Sequence, residues 1–284
     1  MSTFIITDST STDVLFPAAC RTGAVPRDYG VQPVGSDGLK PPSGIKLIPE
    51  SEWIPRIQER ERLGIGLSAI RKQKQLSSKD QNGQGYCWAY SVTRAMEYLL
   101  LKANQPFELL SAHSVACKIK GFRDEGGWCG LSAQFIAEDG IVPESLWPAK
   151  SMSPANNTSE NWNAAKAYRM TEGWYDVNRQ VWDQDLTWQA VVSLLLQNVP
   201  VPADFMWWGH SVCLFDVTVK DGEVCPILDN SWTSAWGDNG TAILQGTRKI
   251  PDGAVAPLVS VAACGTRCCV FGDGHSMQSV GHCS

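Results

Sequence analysis

Apolar residues recur at helical spacing from Cys87 to about Lys102, where Trp88, Val92, Ala95, Met96 and Leu99 share a face. The run Leu99-Leu100-Leu101 makes this helix apolar nearly all round, so it is expected to be central and buried. Asn104 and Pro106 end it. Further helical patterns cover residues 111–118, residues 131–138 before Asp139-Gly140, and residues 187–197, the last with Trp188, Val191, Val192, Leu195 and Leu196. Residues 54–74 carry Ile54, Ile57, Leu63 and Ile70 among charges, which predicts one imperfect helix interrupted by Gly64 and Gly66. Past residue 198 the texture changes to strands at 199–206, 211–219, 224–228 and 241–244, with a turn at Asp221-Gly222. Pro200 and Pro202 mark the first as an edge strand. Helices followed by an antiparallel sheet predict an α+β architecture in two lobes.

The remaining segments read as connections. Residues 1–47, rich in Ser, Thr, Gly and Pro without a sustained period, predict an extended arm or a set of loops. Residues 77–85 form a polar, Gly-punctuated loop, and the Ser/Asn/Pro-rich stretch 151–163 is expected to be a surface connection. There is no internal repeat and no low-complexity tract.

Composition narrows the function classes. The 284 residues are 43% hydrophobic, enough for a sizeable core, and carry a net charge of −5. That balance speaks against nucleic acid as a partner. No apolar run approaches the ~18 residues of a membrane span. The first twenty residues, interrupted by Asp8 and Asp13, lack the form of a signal peptide, and Phe16-Pro17-Ala18-Ala19-Cys20 lacks the basic and apolar parts of a lipoprotein signal. The Asn156 and Asn239 sequons are then read as chance. The expected location is the cytoplasm or the inside of a larger particle, with no membrane contact.

Cys87 carries the candidate chemistry. It opens the strongest helix, directly after Gln84-Gly85-Tyr86. A helix N-terminus stabilises a thiolate, and a nearby glycine leaves the sulfur approachable. A thiolate nucleophile needs an imidazole and a third group to fix that ring. Of the four histidines, His210 opens a predicted strand, and Asn230 follows twenty residues later at the end of another. Adjacent antiparallel strands would set the two side by side, with the Asn amide orienting the ring.

The run from Gln81 to Ser91, with Cys87-Trp88-Ala89-Tyr90-Ser91 six residues after a Gln, resembles the nucleophile segment of papain-like cysteine peptidases. Leu110-Ser111, Gly126-Gly127 and Gly140-Ile141 match that family's helical lobe. His210-Ser211-Val212, Asn230-Ser231-Trp232 and the run from Trp236 to Gly240 match its sheet lobe. His210 and Asn230 lie 123 and 143 positions after Cys87, close to the family spacing. Ile48-Pro49-Glu50-Ser51-Glu52-Trp53 is similar to the start of a mature domain, so the resemblance spans about residues 48–246. It implies a papain-like α+β fold, a helical lobe plus an antiparallel sheet or barrel lobe with the active site in the cleft between them. It also implies peptide-bond hydrolysis without a cofactor or metal, on polypeptide substrates. Cys87 would be the nucleophile, His210 its imidazolium partner and later the acid, and Asn230 the residue orienting His210, with Trp232 shielding that bond. The Gln81 amide and the Cys87 N–H would form the oxyanion hole. Gly127 would pair with an extended substrate backbone and Gly126 would let it approach. Trp128, Cys129 and Ser211 would line a pocket favouring apolar side chains.

Several features depart from the family pattern. Gln84 stands where a half-cystine is expected, and the mate's position near Asp124-Glu125 also lacks one. Cys117 has no evident mate in the 140–200 region. The stretch 201–209 is short, Gly209 replaces an acidic or amide residue before His210, and Trp207-Trp208 crowd the approach as core packing or as a substrate contact. No prosegment of the family type is recognisable. The expected organisation is an arm (1–47), a peptidase domain (48–262; helical lobe about 75–150, sheet lobe about 165–262) and a tail (263–284). In the tail, Cys264, Cys268, Cys269, His275, His282 and Cys283 leave zinc, disulfides and free thiols open. Two alternatives to an endopeptidase remain: a structural or binding module of a larger assembly such as a virus particle, and an amidase or transpeptidase using the same residues. A protein partner or assembly that orders the terminal arms is a further expectation.

Overall fold

The computed structural model of the chain describes residues 3–16, 20–28, 44–177 and 184–259. The tail cluster from Cys264 to Cys283 lies outside the described residues. In chain order the elements are β1 (Ile5–Ile6), α1 (Thr12–Leu15), α2 (Trp53–Leu63), α3 (Leu67–Gln73), α4 (Cys87–Lys102), α5 (Ala112–Lys120) and α6 (Cys129–Glu138). There follow α7 (Ser159–Ala165), β2 (Trp174–Asp176), α8 (Gln184–Leu196), β3 (Val201–Phe205), β4 (His210–Lys220), β5 (Glu223–Asp229), β6 (Thr241–Leu244) and β7 (Gly253–Pro257).

α4 is the element on which both lobes pack. Its residues Cys87 to Tyr98 are all buried, which an apolar surface nearly all round requires. On one side Trp88, Val92 and Met96 join Val115, Ile136 and Trp147 in the helical core. On the other, Ala95 and Tyr98 meet Cys213 and Phe215 of β4, with the Tyr98 and Phe215 rings stacked 4.9 Å apart. A third core lies between α2, α8 and the sheet, around Ile57, Val191, Leu195, Leu214 and Leu228.

The sheet has the order β1-β6-β5-β4-β3-β7-β2 and is open. It is antiparallel except at one edge, where β1 of the arm runs parallel to β6. The arm is therefore not wholly irregular: β1 and α1 fall in it, and Phe4 packs edge-on against Trp236 at 5.3 Å. β3 is an interior strand between β4 and β7, against the edge position its prolines predict. Along β3, β7 pairs with Ala203 and Asp204 and not with Pro202, so Pro202 lies beyond that ladder and its missing N–H is tolerated there. Residues 54–74 form two helices rather than one, because Gly64 ends α2 in the left-handed region (φ 63°) and Gly66 (φ 122°) redirects the chain before α3. The stretch 151–163 holds most of α7, started by the Thr158 hydroxyl accepting from the Asn161 N–H at 3.2 Å.

Charged groups are buried where the lobes meet. Glu97, fully buried on α4, pairs with Lys79 (2.8 Å) and Arg94 (3.0 Å) and accepts the Leu110 N–H (2.9 Å). Arg94 also pairs with Asp229 at the end of β5 (3.4 Å). Burial alone would lower the Arg94 pKa, but Asp229 and Glu97 raise it above the ordinary value.

Removing Glu97 would take a counter-charge from two buried cations, leaving Arg94 only Asp229 and Lys79 only Glu144 among the ion pairs of the described residues, and would leave the Leu110 N–H without its acceptor. Glu97→Ala is therefore expected to cost about 3–5 kcal/mol in urea unfolding; a loss under about 1 kcal/mol would contradict this account. His113, 1% exposed and bonded to the Tyr90 hydroxyl at 2.9 Å, is held neutral because burial lowers its pKa to about 4. Between pH 6.5 and 4 the unfolded chain takes up a proton that the folded chain excludes, so acidification destabilises by up to about 3 kcal/mol through this group. In His113→Gln the fall in unfolding midpoint from pH 7 to pH 4.5 should be shallower than in the parent.

Candidate active site

Cys87 is the first residue of α4, and its sulfur is fully buried at the helix N-terminus. The Ser211 N–H and hydroxyl and the Gly23 N–H lie against it. Burial outweighs these donors and pushes the thiol up to about 11, and the nearby Asp204 charge adds to the rise.

His210 and Asn230 come from β4 and the residue just after β5, whose antiparallel register brings them together. His210 Nε2–H donates to Asn230 Oδ1 at 2.8 Å, and the same oxygen accepts the Ser231 N–H at 2.8 Å. That bond leaves Nδ1 as the basic nitrogen of the neutral ring. Nδ1 is buried and makes no hydrogen bond among the described residues. Trp232 stacks on the ring (4.3 Å, 25°) and Trp208 meets it edge-on (4.9 Å). Burial lowers the His210 pKa to about 4, against the raising effect of the Asn230 bond. With cysteine and histidine both enclosed, the neutral forms are favoured at each.

Gln81 is fully buried. Its Oε1 accepts from the Ser231 hydroxyl (2.5 Å), and its Nε2 donates to the carbonyls of Gln84 (2.6 Å) and Arg21 (2.8 Å). Arg21 belongs to the N-terminal arm, which runs through the cleft. The Gly127 N–H donates to Gly23 O, and the Val25 N–H to Gly127 O, each at 2.9 Å. No side chain fits at Gly127, where a Cβ would stand 2.6 Å from the Trp88 ring, or at Gly126, where it would stand 2.7 Å from Gly23 O.

The residues expected to line a pocket for apolar side chains stand beside buried charge. Cys129 and Ser211 do not form an apolar wall: both bond Asp204, through the Cys129 N–H (3.0 Å), the Cys129 thiol (3.1 Å) and the Ser211 hydroxyl. Burial raises the Asp204 pKa to about 6. Trp128, 1% exposed, carries the Arg27 guanidinium 4.1 Å above its ring. Asp204 was legible as a lone carboxylate in the apolar run Val201–Phe205. Trp208 is buried beside His210, whereas Trp207 is 36% exposed with Arg248 above it.

The two segments where a disulfide was expected are tied by a hydrogen bond beside Gln84: the Gly85 N–H donates to Asp124 Oδ1 at 2.7 Å. The six described cysteines, Cys20, Cys87, Cys117, Cys129, Cys213 and Cys225, are free thiols. No helix among the described residues is long and apolar enough to cross a membrane.

Comparison with known proteins places this geometry. The chain is similar to cysteine proteinase 1 of Entamoeba histolytica, 24% identical over 197 residues that cover 60% of each protein. It is also similar to cathepsin L 1 of Paramecium tetraurelia, 25% identical over 62% of this chain and 57% of the other. The chain thus spans about 60% of the length of these curated relatives. Among solved structures, procathepsin L2 of the Tenebrio molitor larval midgut superposes with TM-score 0.54 at 19% identity, over 70% of this chain and 72% of that one. Xylellain, a cysteine protease of Xylella fastidiosa, gives 0.51 at 16% identity over 90% and 96%. These likenesses establish the two-lobe α+β fold. Residues 68–258 match the family model described as papain family cysteine protease, and the chain belongs to that family.

Proposed function

We propose that the chain is a cysteine endopeptidase that hydrolyses peptide bonds of polypeptides with Cys87, His210, Asn230 and Gln81. The observation that carries this reading is the His210–Asn230 bond at 2.8 Å, which commits Nε2 as donor and leaves Nδ1 free to take a proton.

In this mechanism His210 Nδ1 removes the Cys87 thiol proton as the cleft is opened to water and substrate. The thiolate attacks the scissile carbonyl carbon, forming the C–S bond while the carbonyl π-electrons move to oxygen. Gln81 Nε2–H and the Cys87 N–H donate to that oxyanion; the first of these donors holds the Arg21 carbonyl here. The imidazolium returns its proton to the leaving nitrogen as the C–N bond breaks. Water, deprotonated by His210, then cleaves the thioester. Asn230 keeps the ring oriented through both half-reactions, and Trp232 shields that bond. An amidase or transpeptidase would share the first half of this sequence and differ in substrate or acceptor, so a peptide-library screen separates them. A purely structural module would keep its biological role after Cys87→Ala.

Cys87→Ala is expected to abolish turnover of a peptide library, and Gln81→Ala to lower kcat/KM by roughly 10²–10³ while KM changes little. Retained turnover in Cys87→Ala would exclude the assignment. In kcat/KM against pH, a bell shape is expected, its acid limb reporting thiolate formation and its basic limb loss of the imidazolium proton. A profile without a basic limb would remove His210 as the acid.

A further inference from the structure

The arm reaches deeper into the protein than its backbone bonds alone require. Besides the Gly127 and Gln81 contacts, the Ala24 N–H donates to Gly209 O at 3.0 Å. Gly23 passes so near Gly85 that a Cβ there would stand 2.1 Å from Gly85 O. Two residues beyond Val25 the chain is anchored by a side chain. Arg27 Nη1 pairs with Asp176 Oδ2 at 2.7 Å, with the two side chains 5% and 0% exposed. The same guanidinium lies over the Trp128 ring.

These two partners form a built site. Asp176 sits on β2, opposite Val255 of β7, so its position is fixed by the sheet. Trp128 is locked at the start of α6 and packs edge-on against Trp174 of β2 at 6.2 Å. A fully buried carboxylate costs several kcal/mol unless a cation accompanies it. The ring face above it favours a flat, weakly hydrated cation, which selects arginine over lysine. Neither Asp176 nor Trp128 takes part in the proton and acyl transfers of the proposed mechanism.

We propose that Asp176 and Trp128 form a guanidinium-binding subsite of the cleft, whose ligands are arginine side chains of extended peptides, and that Arg27 fills it in cis as a competitor. This deepens the peptidase reading, and rests on it only in taking the ligands to be peptides. Because the arm also covers Cys87 and occupies a donor of Gln81, its residence in the subsite and access to the thiol are linked.

The test uses the full chain carrying Cys87→Ala, so that binding is read without turnover, and a fluorescent peptide of residues 21–28 added in trans. With Arg27→Ala also present, the peptide is expected to bind at least about tenfold tighter than to the chain with Arg27 intact. Citrulline in place of the peptide residue corresponding to Arg27, or Asp176→Asn in the chain, should cost about tenfold or more. Should Arg27→Ala not fold, Arg27→Lys provides the same comparison, and the citrulline peptide needs no change in the protein. In the Cys87-intact chain, Arg27→Ala should raise the rate of alkylation by iodoacetamide. Equal binding of arginine and citrulline peptides would overturn the subsite, and an unchanged alkylation rate would overturn its link to the thiol. Arginine-dependent binding without peptide hydrolysis by the Arg27→Ala chain with Cys87 intact would instead remove the peptidase reading alone.

Discussion

The Asp229 carboxylate is the point at which the two lobes are held in register. Arg71 (3.3 Å) and Arg94 (3.4 Å) face it as cations, and the hydroxyls of Tyr98 (2.8 Å) and Ser78 (2.5 Å) donate to it. Arg94 lies seven residues after Cys87, two helical turns on, so the contact that fixes Arg94 also fixes the rotation of α4 and the direction of the thiol. Asp229 immediately precedes Asn230, so the same contact sets the end of β5 from which Asn230 reaches His210. Buried ion pairs return little net stability relative to apolar packing of the same volume. Here the cluster's contribution is register: a helix that slid or turned against the sheet would separate Arg94 and the Tyr98 hydroxyl from Asp229.

Register alone does not make a nucleophile. Burial works against charge at both partners, holding Cys87 up near 11 and His210 down near 4. Transfer of the thiol proton to imidazole would create two charges in a site sealed from water, which a low-dielectric enclosure opposes unless the pair is close and well solvated by fixed dipoles. The covered cleft is thus electrostatically quiet, and the ion pair that the proposed mechanism calls for is favoured only when the covering arm gives way. The arm and the protonation state of the pair are coupled through the same burial.

The central helix, its opening cysteine and the main strands were legible because each leaves a side-chain pattern: period 3.6 over Cys87–Lys102, and β-rich runs for β4, β5 and β6. The path of the arm was not legible, because the bonds that align it along Gly127, Gly209 and Gln81 use backbone N–H and C=O groups that any sequence possesses. The short strands β2 and β7 escaped for a similar reason: three and five residues are too few to show alternation, and β7 includes Gly253 and Pro257. The interior place of β3 depended on where β7 stops, a tertiary fact absent from Pro200 and Pro202 themselves. Trp128, Cys129 and Ser211 were expected from the resemblance to line a pocket, but the polar surroundings of Trp128 and Cys129 were not legible, since Asp176 and Asp204 lie on strands far along the chain from them. Both carboxylates sit in otherwise apolar runs, and that was the available signal.

The two arginines of the arm show how burial ranks interactions that look alike on paper. Arg21 pairs with Asp124, the residue that also ties the Gly85 loop in place of a cross-link, but the two side chains are 56% and 28% exposed. Water and salt screen such a pair, and its worth is at most about 1 kcal/mol. Arg27 and Asp176 are sealed from solvent, so separating them would leave charge in a buried place, at a cost of several kcal/mol. The backbone bonds at Gly127, Gly209 and Gln81 align the strand, yet each exchanges readily for a bond to water or to another peptide. The residence of the arm is therefore decided at Arg27, well away from the thiol it covers. A competing peptide would have to match that one buried charge before its backbone could take the place of the arm.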